Sequence, residues 1–259
     1  HRDLHSFPTR RSSDLVAARS VAAAADPGAA ALQLVDEIRR AYETATAARA
    51  SAPSGSAAAS ASPLKRRIMR GLVDTGCFKT GSFTLKSGKL SPFYVDLRRV
   101  ISDPAVLDDV ASAYASLAGG LSFDRVAGIP AAALPLATAT AVKLRKPMVW
   151  PRMPVKDHGT GNRVEGEFKP GERVLLLDDL ITTGASKLEA IEILRGEGLI
   201  VEELAVLIER GKQGRRDMDA QGVHLNAFFH VRDLFALCRE LGIIDANTQR
   251  EMEAYADDE

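Results

Sequence analysis

The chain has 259 residues, 46% of them hydrophobic and 26% charged, with 34 basic against 34 acidic side chains and a formal net charge of zero. That composition suits a folded domain with a sizeable core, and the balanced charge argues against nucleic-acid binding as the main function. Cys77 and Cys238 are the only cysteines. They offer neither a disulfide framework nor a metal-ligand spacing, which points to a reducing cytoplasm. No apolar run approaches the roughly 18 to 20 residues that cross a bilayer, so no membrane role is expected.

Residues 1–15, HRDLHSFPTRRSSDL, lack a starting Met and any apolar periodicity. They resemble a translated sequencing adapter, and without an apolar stretch before Val16 they do not make a signal peptide. They are left out of the fold reasoning as non-native. Residues 16–63 are an Ala-rich helix followed by a flexible linker. Leu32, Leu34, Val35, Ile38, Ala41 and Tyr42 fall near one helical face. Asp26 and Pro27 suit the N-cap and first turn. The linker, SAPSGSAAASASP at 51–63, has no core-forming side chains. The main domain is expected over 64–259.

In that domain, Leu64, Ile68, Met69 and Leu72 have helical spacing, with Gly76 as a stop. SFTLKSGKLSPFYVDLR, 82–98, reads as two extended pieces around a Ser-Gly-Lys turn. Ser102-Asp103-Pro104 starts a helix that should run to Gly119-Gly120. Strands are then expected at 124–129, 147–153, 172–180 and 199–210, with helices at 132–145 and 184–198. This alternation signals a parallel α/β sheet. The run Val174 to Leu177 lacks polar alternation and fits a strand buried on both faces. The acidic end, EAYADDE, reads as a solvated tail. His224, His230, Trp150 and the cysteines carry no functional signal above packing.

The strongest local signal is VLLLDDLITTGAS, 174–186. A buried strand ends at Asp178-Asp179, and a turn from Leu180 to Gly184 feeds a helix. In open α/β sheets ligands bind at the carboxyl ends of strands. A helix N-terminus suits a phosphate. Gly184 allows close backbone approach, while Thr182, Thr183 and Ser186 offer hydroxyls. Two carboxylates beside a phosphate cradle make sense if they face ribose hydroxyls or Mg²⁺. There is no GxxxxGK[ST] and no GxGxxG after a strand, so neither a P-loop nor a dinucleotide fold is indicated.

This motif resembles the phosphoribosyl pyrophosphate (PRPP) motif of type I phosphoribosyltransferases. The resemblance implies their α/β fold: a mainly parallel sheet flanked by helices, with a small N-terminal helix and hairpin hood. It also implies that Asp178 and Asp179 hold the ribose hydroxyls, and that Leu180, Ile181, Thr182, Thr183, Gly184, Ala185 and Ser186 wrap the 5′-phosphate. Further segments are similar to the orotate phosphoribosyltransferases in particular. By that resemblance Lys86, in LKSG, contacts PRPP and orotate, and Tyr94, Val95, Thr182 and Arg210, in LIERGKQG, contact orotate. Bidentate Arg recognition suits a planar anion. Arg152, Lys156 and His158, in PRMPVKDHGTGNRVEG, match a mobile loop that covers the site of the neighbouring subunit of a homodimer. The loop's cations would stabilise the leaving pyrophosphate. Met153 departs from a second basic residue common there. GIPAAALPLA, 128–137, matches the pyrophosphate loop, with only backbone contacts to carry over at Ala131 and Ala132.

The reaction so implied joins orotate to PRPP, gives orotidine 5′-phosphate and pyrophosphate, and belongs to pyrimidine (UMP) biosynthesis. Lys156, Asp178, Asp179, Arg152 and His158 are the catalytic candidates, with His158 either assisting the leaving group or structural. Mg²⁺ would be held mainly through substrate oxygens, with Asp178 and Asp179 nearby. Rival readings are a purine phosphoribosyltransferase, which would lack the LKSG hairpin, and a PRPP-sensing regulator, which balanced charge does not support. The upstream helix loosely resembles the last helix of an orotidine 5′-phosphate decarboxylase, which would make the chain part of a fusion. A weakly helical extension is the alternative.

Overall fold

A computed structural model describes residues 26, 29–30, 61–84, 88–153 and 163–257. The chain divides into two compact units, His1–Ala59 and Ser60–Glu259. In the first, the Asp26 carboxylate accepts the Ala29 N–H at 3.0 Å, the cap its sequence position suggests. The other expectations for residues 1–60 lie outside the described residues.

The second unit starts with α1 (Pro63–Asp74), where Ser62 caps and Pro63 opens the helix. An apolar stripe, Ile68, Met69 and Leu72, is fully buried. Strands β1 (Phe78–Thr84) and β2 (Leu90–Val95) form an antiparallel pair running from Phe78 opposite Val95 to Thr84 opposite Leu90. A 3-10 turn, Leu97–Ser102, leads to α2 (Pro104–Leu117). The Asp103 carboxylate caps α2 by accepting the Ala105 and Val106 N–H groups at 2.8 and 3.1 Å.

Six strands make the main sheet: β3 (Arg125–Gly128), β4 (Met148–Pro151), β5 (Val164–Glu165), β6 (Arg173–Ile181), β7 (Ile200–Glu209) and β8 (His224–His230). Their order is β5-β4-β3-β6-β7-β8, parallel except for β5. Helices α3 (Ala133–Leu144) and α4 (Ala185–Gly196) follow β3 and β6. After β3 the chain builds outward to β4, and after β6 it builds the opposite way to β7. The sheet's switch point therefore lies between β3 and β6, where such folds open a crevice for ligands. Helix α5 (Gln213–Ala220) crosses to β8, and α6 (Val231–Glu240) and α7 (Ala246–Asp257) close the chain.

Strand alternation splits the core. On β6, Leu175 and Leu177 pack in one cluster with Ile68, Tyr114, Leu136 and Phe235. Val174 and Leu176 pack in the other, with Ala190, Ile191 and Leu194 of α4 and Met218 of α5. No helix among the described residues is long and apolar enough to cross a membrane.

Two expectations need correction. Strand β6 does not end at the acidic pair. Leu180 and Ile181 keep pairing with Ile208 and Glu209, so the turn shrinks to residues 182–184. The acidic tail is not simply solvated, because α7 runs to Asp257 and buries Met252. It also sets the Tyr255 ring edge-on to Phe93 at 5.8 Å. The elements after β7 follow no β-α alternation that the sequence announced.

Candidate functional site

The acidic pair sits near the end of the central strand, beside the switch point. Asp178 is 5% exposed, and each of its polar atoms has a partner. Its Oδ1 accepts the Asp179 N–H at 2.9 Å, its Oδ2 lies 2.6 Å from Lys187 Nζ, and its carbonyl accepts the Tyr114 hydroxyl at 2.8 Å. Asp179 accepts the Leu180 N–H at 2.7 Å and pairs with no cation among the described residues. Burial, then the adjacent Asp178 charge, pushes the Asp179 carboxyl up to about 6, against the pull of the Leu180 amide and Lys187. Burial, reinforced by both carboxylates, also raises the Tyr114 phenol well above its ordinary value.

The turn after the pair is laced to the segment that follows β7. Arg210 and Gly214 donate their N–H groups to the Ile181 and Thr182 carbonyls at 2.8 and 3.0 Å. The Asp217 carboxylate accepts the Gly184 N–H at 2.8 Å and the Gln213 amide at 2.6 Å. A methyl on Gly184 would lie 2.6 Å from Asp217 Cβ, so the glycine is required by the packing of α5 as well as by any close ligand approach. Thr183, Ala185 and Ser186 are exposed and Thr182 is partly so, leaving this rim open to a phosphate. Helices α3 and α4 have no side-chain cap, whereas α1, α2 and α6 do. A helix start without a side-chain cap and with its positive dipole end favours anions. On the neighbouring strand, Ala131 and Ala132 form the turn between β3 and α3, and the Pro130–Ala131 peptide is cis.

Arg152 leaves β4 and pairs with Glu165 of β5, both partly exposed. Its N–H donates to the Arg163 carbonyl at 2.8 Å. Lys156 and His158 lie between these two strands in sequence and outside the described residues, as does Lys86. Met153 packs against the core cluster around Val149 and Val164, which explains an apolar residue at a position read as a missing cation.

The hairpin meets Arg210 through its buried face. The guanidinium lies 4.7 Å from the Phe93 ring centre and 6.0 Å from that of Tyr255. Tyr94, on the opposite face of β2, is partly exposed and 5.7 Å from Phe83, while Val95 packs on the core. Lys187, Asp217, Phe93 and Tyr255 were absent from the sequence reading. Only Lys187 carried a signal there: a lysine on the apolar stripe of α4.

A doubly wound sheet whose switch point carries an acidic pair, one carboxylate buried, and two uncapped helix ends defines a phosphoribosyl transferase class of protein. The phosphoribosyl transferase domain family matches residues 100–232. The chain is 37% identical over 174 residues to the orotate phosphoribosyltransferase of Pyrococcus abyssi, covering 66% of this chain and 96% of that one. It is 38% identical over 184 residues to the bifunctional enzyme PyrF/PyrE of a Nostoc species, 71% of this chain and 38% of that one. The solved Leishmania donovani UMP synthase superposes with a TM-score of 0.68 at 36% identity, over 93% of this chain and 49% of that one. The chain belongs to the orotate phosphoribosyltransferase family. It spans less than half the length of these bifunctional relatives.

Proposed function

We propose that this chain transfers the phosphoribosyl group of PRPP to orotate, giving orotidine 5′-phosphate and pyrophosphate, as a step of UMP biosynthesis. The observation that carries the reading is the Asp178-Asp179 pair, Asp178 buried and Asp179 half-buried, on the strand that leads into the uncapped start of α4 at the switch point. It stands in a chain of which 66% is similar to almost the whole of an orotate phosphoribosyltransferase. Residues 64–259 are the catalytic domain, and 16–63 an extension or the end of an upstream domain.

In this reading the acidic pair fixes the ribose, and residues 180–186 take the 5′-phosphate. The Ala131-Ala132 turn takes the pyrophosphate through its backbone. The bond from the anomeric carbon to pyrophosphate breaks, the carbon becomes oxocarbenium-like, and orotate N1 forms the new bond and gives up its proton to the departing pyrophosphate or to water. No protein nucleophile is needed; positioning and charge stabilisation do the work. Arg152, Lys156 and His158 meet the negative charge that grows on the leaving group, and Arg152 must leave Glu165 to do so. Lys86, Tyr94, Val95, Thr182 and Arg210 hold the base.

Mg²⁺, when bound, would neutralise the phosphate charge. Among the described residues no cluster of three His, Cys, Asp or Glu could hold a metal. The ion would rest mainly on substrate oxygens, with Asp178 and Asp179 nearby, a habit of Mg²⁺. A cytoplasmic homodimer sharing the 151–166 loop completes the proposal.

The test follows orotate absorbance with PRPP and Mg²⁺, offering hypoxanthine and adenine as rival bases. Orotate loss that requires both additions, with neither purine consumed, is expected. Consumption of a purine, or no turnover, would contradict the assignment.

A further inference from the structure

Lysine is rarely buried, because its ammonium gives up hydration that only a well-placed partner restores. Lys187 is nevertheless 7% exposed, in the first turn of α4. Its Nζ lies 2.6 Å from Asp178 Oδ2 and donates to Ser186 Oγ at 3.3 Å. The ammonium thus bridges two pieces of the site that chain connectivity leaves independent. One is the strand end that carries the acidic pair, and the other is the helix start that carries the phosphate rim.

Alternation along β6 gives the two carboxylates different surroundings. Asp178 shares its face with Val174 and Leu176, which pack under α4, and that is where Lys187 meets it. Asp179 shares its face with Leu175 and Leu177, on the side of the hairpin and α2. Asp178 has both oxygens and its carbonyl committed. Asp179 has only a backbone N–H on one oxygen and no cation among the described residues. Adjacent carboxylates do not therefore mean equivalent ones.

We propose that Lys187 is a positioning residue that clamps Asp178 to the start of α4, leaving Asp179 as the freer carboxylate of the pair and the one on which the ribose hydroxyls depend more. Its charge also offsets one of the two negative charges where an anionic substrate must arrive. This rests on the phosphoribosyl transfer reading. It deepens that reading by dividing the labour of the acidic pair and by adding a residue that never touches the reacting atoms.

The test uses the full chain and titrates PRPP with Mg²⁺ by calorimetry in the absence of orotate. Lys187→Met should weaken PRPP at least tenfold, and Lys187→Arg should stay within about threefold of the unaltered protein. The orotate KM in turnover should not move. Asp179→Asn should weaken PRPP more than Asp178→Asn does. A folded Lys187→Met variant that binds PRPP as well as the unaltered protein would overturn the proposal. If that variant does not fold, the two aspartate variants decide, and a larger loss at Asp178 than at Asp179 would overturn it. An unaltered protein that binds no PRPP would instead overturn the phosphoribosyl transfer reading beneath it.

Discussion

The β6–α4 junction and the β4–β5 edge each set a cation against a carboxylate, yet the two pairs differ in kind. Lys187 and Asp178 have side chains 9% and 6% exposed; Arg152 and Glu165 are 48% and 34% exposed. Breaking a buried pair by removing one partner strands a charge and typically costs about 3–5 kcal/mol. An exposed pair is worth about 0–1 kcal/mol, so thermal motion separates it readily. The first pair therefore belongs to a fixed cradle. The second holds a cation that can be released toward a leaving group. On the proposed function, a site that positions a ribose and closes over pyrophosphate would use one of each.

The comparison breaks first if the cradle proves dispensable. Asp179→Asn should lower kcat/KM for PRPP by about a hundredfold or more, roughly 2.7 kcal/mol of lost stabilisation; steady-state kinetics checks it, and a loss under threefold would remove the acidic pair from the chemistry. On the releasable side, Lys156→Ala should lower kcat by at least about tenfold, roughly 1.4 kcal/mol, in single-turnover measurements. A smaller effect would deny the loop its leaving-group role.

The hood offers an intermediate test. Tyr255→Ala removes one of the two rings beside Arg210, and should raise the orotate KM several-fold, by about 1 kcal/mol of cation–π support, leaving PRPP affinity alone. Tyr255→Phe should be neutral or slightly stabilising in a thermal melt, because the buried hydroxyl has no hydrogen-bond partner among the described residues.

Glu165→Gln sharpens the contrast directly. It should leave the melting temperature within a degree or two and lower the PRPP KM by about threefold at most, since an exposed pair holds so little energy.

The smallest effect is expected at a third pair, at the opposite end of the sheet. Arg125, chiefly by hydrogen bonding, draws the Glu172 carboxyl down to about 2. Because the folded value lies below the unfolded one, the contribution is fully present above the ordinary glutamate value near 4.5. It disappears as pH falls from there toward 2. Melting temperatures of the unaltered protein and Glu172→Gln should differ slightly at neutral pH and converge on acidification. A constant difference would contradict the assignment.

Much of this was legible in the sequence because the governing interactions are local. Asp103-Pro104 caps α2 and the buried apolar run makes β6. The two extended pieces pair as a hairpin, and the acidic pair with its Thr-Thr-Gly turn marks the site. What stayed hidden depends on contacts distant in sequence. Asp217 reaches back to Gly184, Arg210 finds Phe93 and Tyr255 across the fold, and α7 packs although its sequence is acidic and polar. Two features could have been read. Val231, Leu234, Phe235 and Cys238 have clear helical spacing. Lys187, on a stripe otherwise apolar, signals a buried carboxylate partner, and Asp178 stands nine residues before it.

The most direct test of the central claim is a phosphorus NMR time course of the full chain with PRPP, Mg²⁺ and orotate, counting pyrophosphate against orotidine 5′-phosphate. One pyrophosphate released for each orotidine 5′-phosphate formed, with neither appearing when orotate is left out, is the predicted result. Pyrophosphate released at the same rate without orotate would make the protein a PRPP hydrolase, and no release at all would contradict the account.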